Sequence, residues 1–148
     1  MNITHKRNRG FTLIELLVVI SIIGLLSSVV LASVTTARNK GRTAAIKESM
    51  YQMRNQMALY YSVYGNYGNV TDCTNGASGF TDGGSAAIRN KMTLDGATNM
   101  GCIADTSSGA TMWSLYVTLP AGGGLWCVDA NGSAKAGTDV VAPLGQCD

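Results

Sequence analysis

Histidine is almost missing from this sequence. The sole one, His5, stands near the start, so the remainder offers no imidazole as general base or metal ligand. Catalytic triads and histidine-bearing metal centres are thereby excluded beyond that point. No C-x-x-C pair occurs, which argues against a zinc site, and nothing in the sequence implies a cofactor or an enzyme. Charge is scarce too, at 14% of residues against 46% hydrophobic. From residue 55 onward three basic residues, Arg89, Lys91 and Lys135, face seven aspartates, a net charge of −4. That weakens any idea of wholesale nucleic-acid binding by this region, because neutralising phosphates needs clustered Lys and Arg. Proline is absent between Phe11 and Tyr64, so nothing there forbids one long helix.

What the sequence has in quantity is grease near its N-terminus. Behind Lys6, Arg7 and Arg9, no charged residue occurs from Leu16 to Ala37. Those positions make about 33 Å of helix, enough to cross a bilayer core. A cleaved secretory signal, ending at the small residues before Ala37, is disfavoured by the length of the run and by Glu15, an acid where such signals rarely carry one. An acid in a membrane helix is costly and calls for a partner or a task. After the run come Arg38, Lys40, Arg42, Lys47 and Arg54, with only Glu48 opposing. This thin collar reads as a solvated helix face or a contact with lipid headgroups; it leaves room for nucleic acid without indicating it.

All four cysteines, Cys73, Cys102, Cys127 and Cys147, lie beyond the apolar run. An even count in a small Gly-rich region reads as two disulfides in an oxidising compartment. Three pairings are arithmetically open. Cys73 with Cys102 and Cys127 with Cys147 is favoured, because each closes a local loop, stabilising by about 3 kcal/mol in the chain-entropy model. The basic residues flanking the run balance, so the cysteines decide its orientation: C-terminus outside, N-terminus in the cytoplasm.

The stretch RGFTLIELLVVISIIGLL resembles the N-terminal signature of type IV pilins and pseudopilins: a basic leader ending in Gly10, then Phe11, Thr12, and Glu15 opening an apolar helix. The resemblance implies cleavage after Gly10 by a prepilin peptidase and N-methylation of the new Phe11 amine, with Phe11, Thr12 and Glu15 serving assembly. Once cleaved, the cationic amine of Phe11 sits one helical turn from Glu15. In low dielectric the two charges offset much of each other's desolvation, within one subunit or between neighbours. In the family the acid is thought to meet the amine of an adjacent subunit. Many pilins carry a proline at the position matching Ala32, beside a stretch that unravels in the fibre; this chain lacks it, and Gly24 and Gly41 are its weak points.

Past Ala37, Ile46, Met50, Met53, Met57, Tyr60 and Tyr64 recur at alternating spacings of four and three, an apolar stripe on an amphipathic helix that packs under a sheet. Lys47, Glu48, Arg54 and Asn55 point elsewhere, and Gly65 ends the helix. Residues 69–110 read as a long loop holding a short helix at 86–94. Trp113, Leu115, Val117 and Leu119 alternate with polar residues; Gly122 to Gly124 permit a turn; Leu125 to Val128 form a second strand; Asn131-Gly132 is a two-residue turn before a third. Asp129, Asn131 and Asp139 match only a fragment of a calcium loop, so no metal is assigned. Asn69-Val-Thr71 and Asn131-Gly-Ser133 are glycosylation-type triplets that read as plain loops.

The predicted architecture is α+β: a long helical spine, half transmembrane and half amphipathic, packed on a small antiparallel β-meander head. The predicted division is leader 1–10, transmembrane and filament-core helix 11–37, amphipathic helix 38–65, and head 66–148 with a variable loop 66–111 and a meander 112–148. The resemblance implies a structural subunit of a type IV pilus: a homo-oligomeric helical filament. It is inserted first as a single-span precursor in the cytoplasmic membrane and then assembled on the cell surface by pilus machinery with minor pilins. The alternatives are a pseudopilin of a type II secretion or DNA-uptake system and, from another class, a membrane-anchored enzyme or binding protein. Adhesion, motility and DNA capture are all open to such a fibre.

Overall fold

The computed structural model describes residues 10–68, 73, 78–104, 110–137 and 147. His5, Lys6, Arg7 and Arg9, the triplet from Asn69 to Thr71, and Asp139 lie outside the described residues. Six elements follow in order: α1 (Leu13–Tyr64), α2 (Gly83–Leu94), β1 (Thr98–Ala104), β2 (Trp113–Thr118), β3 (Leu125–Asp129) and β4 (Ala134–Gly137). The sheet is antiparallel, in the order β1-β2-β3-β4. This is the α+β, pilin-like architecture that the sequence predicts. The chain divides within α1, between Arg38 and Asn39, into two units, each described by itself.

In the first unit α1 is apolar on every side. Its large side chains from Leu13 to Leu31 are between 47% and 88% exposed. In the second unit α1 has one buried face. Ile46, Met50, Met53 and Met57 are fully buried, each one turn from the next. The stripe stops short of its predicted end: Tyr60 is half-buried and Tyr64 exposed. Gly65, at φ 71°, donates its N–H to Tyr61 O at 2.8 Å and closes the helix. The chain then brings Tyr67, rather than Tyr64, edge-on to Trp113, ring centroids 6.2 Å apart. Burial, then the neighbouring Tyr64 and Asp82, pushes the Tyr60 phenol up from its ordinary value.

The methionine face meets Phe80, Met92, Trp113, Leu115, Val117 and Val128 in one core. Burial of each such side chain contributes about 1.5–3 kcal/mol, which makes this seam the main stabiliser of the second unit. Helix α2 starts three residues earlier than its predicted 86–94, because the Asp82 carboxylate accepts the Gly84 N–H at 3.3 Å and caps the first turn.

The sheet corrects the sequence reading at one end. Residues 98–104, expected within the long loop, form β1 as a fourth strand pairing with β2. The strand carries no alternating apolar pattern, its register slips between Thr98 and Gly101, and Asn99 sits at φ 47°. It is held instead by Cys102, disulfide-bonded to Cys73, and by Gly101, where any Cβ would run into the Tyr116 ring. Ser114, a polar residue between Trp113 and Leu115, is also buried in β2, which pairs with β1 and β3. The second disulfide joins Cys127 of β3 to Cys147.

Candidate functional site

The residues at the start of α1 are brought together by a hydrogen-bonded box. Thr12 precedes the first helical residue, and Glu15 is the third residue of the helix. The Thr12 N–H donates to Glu15 Oε2 at 2.9 Å and the Thr12 hydroxyl donates to the same oxygen at 2.8 Å. In return, the Glu15 N–H donates to Thr12 Oγ1 at 3.3 Å. Two N–H groups that no helical carbonyl can reach are satisfied reciprocally, and the negative charge lies at the positive end of the helix. The partner that Glu15 requires is therefore, in the uncleaved chain, its own neighbour Thr12. The spelling Thr-x-x-Glu before an apolar run carries that signal in the sequence. Both hydrogen bonds land on Oε2; Oε1 has no partner among the described residues. Phe11, next to the box, is 80% exposed.

The helix beyond this box is long and apolar enough, by length and composition, to cross a membrane. Of the six hydroxyls between Ser21 and Thr36, four are spent on its own backbone. Ser21 donates to Leu17 O at 2.8 Å, Ser28 to Leu25 O at 2.8 Å, Thr35 to Leu31 O at 3.0 Å and Thr36 to Ala32 O at 3.1 Å. None of these four presents an unsatisfied donor to a hydrocarbon surrounding.

In the second unit, Asp129 is the buried acid, 1% exposed at the end of β3. Its Oδ1 accepts the N–H groups of Asn131 at 3.0 Å and Ser133 at 2.9 Å; its Oδ2 accepts that of Cys147 at 3.0 Å. The β3–β4 turn consequently takes three residues, Ala130 to Gly132, rather than two, with Asp129 and Ser133 paired across it at 3.2 Å. The carboxylate that the sequence tied to a calcium fragment thus holds backbone. Two members of the basic collar also turn inward: Lys47 Nζ stands 3.5 Å from the centroid of the Trp126 ring, and Arg54 reaches Gly132 O at 3.4 Å. Arg38, Lys40 and Arg42 are exposed.

Residues 5–31 match the family described as the prokaryotic N-terminal methylation motif, the leader signature of type IV pilins and pseudopilins. No curated protein and no solved structure matches this chain. The motif supports a precursor of the pilin-like and pseudopilin class, structural in kind, and implies processing by a prepilin peptidase and entry into a pilus-type assembly system. Together with the apolar helix it is consistent with a membrane-anchored precursor.

Proposed function

We propose that this chain is the structural subunit of a type IV pilus filament. It is cleaved after Gly10, methylated at the Phe11 amine and polymerised through the apolar part of α1. Before assembly the N-terminus faces the cytoplasm, and the disulfide-bonded residues lie on the oxidising side. The observation that carries the reading is the unbroken exposure of apolar side chains from Leu13 to Leu31, behind a cap built for an acid. Such a surface is stable only in lipid or against copies of itself, and exchanging one for the other leaves the apolar area out of water throughout.

Glu15 supports the same reading. With Oε2 held by Thr12, Oε1 remains to receive the ammonium of a new N-terminus, its own or a neighbour's. Cap and ion pair are therefore compatible, and the acid keeps its helix start while fixing axial register. The test is mass spectrometry of the cellular protein with electron microscopy of sheared surface material. Methylated Phe11 as first residue, together with fibres lost in a Glu15→Ala strain that still inserts the protein, is the expected result. A chain beginning at Met1 or after Ala37 would overturn it. Correct processing with short periplasmic assemblies alone would assign the chain to a secretion or DNA-uptake machine.

A further inference from the structure

A half-open cleft of about 320 Å³ lies in the second unit, beside the Asp129 turn. Tyr51, Arg54 and Asn55 of α1 form one side; Tyr67, Trp113 and Asp129 form the other. Nothing in filament assembly as described calls on it. We propose that this cleft binds a monosaccharide bearing a carboxylate, a sugar acid.

Size limits the ligand first: the volume is at the small end of ligand sites, suited to one ring rather than an extended chain. Aromatic side chains line both sides, and the negative face of an aromatic ring attracts the polarised C–H groups of a hydroxyl-bearing ring. Arg54 is the cation of the lining. Its one hydrogen bond among the described residues, to Gly132 O, is long at 3.4 Å, so most of its planar fork of donors is left for a carboxylate. The exposed Asn55 amide adds a donor and an acceptor for hydroxyls. Trp113 contributes a second kind of signal, because its buried Nε1–H has no partner among the described residues. Asp129 does not compete for Arg54, since three backbone N–H groups already occupy its carboxylate. One cation suits one negative charge, which disfavours nucleotides and other polyanions.

The test uses the full-length chain in detergent micelles, titrated with D-glucuronate and with D-glucose and followed by saturation-transfer NMR and tryptophan fluorescence. Saturable glucuronate binding is expected, with glucose weaker by about tenfold. Arg54→Gln should bring glucuronate down to the level of glucose, and Asn55→Asp, at an exposed position, should weaken glucuronate more than glucose. Circular dichroism checks that each variant is folded. No saturable binding, equal binding of the two sugars, or a preference that survives both Arg54→Gln and Asn55→Asp would overturn the proposal. Because unassembled protein is used, the outcome is independent of whether the chain polymerises.

Discussion

Two carboxylates here do opposite jobs with the same chemistry. Glu15 accepts hydrogen bonds through one oxygen and keeps the other open, whereas Asp129 gives up both. Substitution separates the two functions of Glu15. Gln can still close a capping box but carries no charge. Glu15→Gln should therefore preserve slow amide exchange in the first turn of α1 while abolishing fibres; Glu15→Ala should lose both. Thr12→Ala should destabilise the first turn by about 1 kcal/mol, read by hydrogen exchange of residues 13–16 in micelles. At Asp129 the expected effect is on stability. Asp129→Ala strands three backbone N–H groups and should cost about 3 kcal/mol or more in urea unfolding, well beyond any surface aspartate. An intact midpoint in that variant would mean water replaces the carboxylate at no cost.

Elements differ in how openly the sequence declares them. The α1 stripe was legible because Ile46, Met50, Met53 and Met57 repeat at helical spacing; Met53→Ala should cost about 2–5 kcal/mol in the unfolding of the second unit. Strands β2 and β3 were legible from apolar alternation and flanking glycines. Strand β1 was hidden: Met100 and Ile103 are its only large apolar residues and do not alternate, and what places the strand is Tyr116 over Gly101 and the bond from Cys102 to Cys73, both long-range facts that a local pattern does not contain. Asp129 was legible as a turn residue, but its three N–H partners were not, one of them 18 residues away at Cys147. Replacing Cys127 and Cys147 by serine should lower stability by about 3 kcal/mol and expose the Asp129 turn to faster amide exchange.

At the scale of the whole molecule, the division inside α1 at Arg38 and Asn39 makes a prediction of its own. A fragment of residues 39–148, expressed in an oxidising compartment, should fold alone as a monomer with both disulfides, needing no detergent. Size-exclusion chromatography and a cooperative thermal melt check this; aggregation of the oxidised fragment would show that the apolar helix contributes to the fold of the rest. The hydroxyls along that helix carry a last consequence. Ser21, Ser28, Thr35 and Thr36 are each already engaged with a carbonyl of their own backbone. At those four positions there is no polar bond to break on departure and none to remake on arrival. Passage between oily surroundings leaves those four side chains as they were, so they set no toll in either direction.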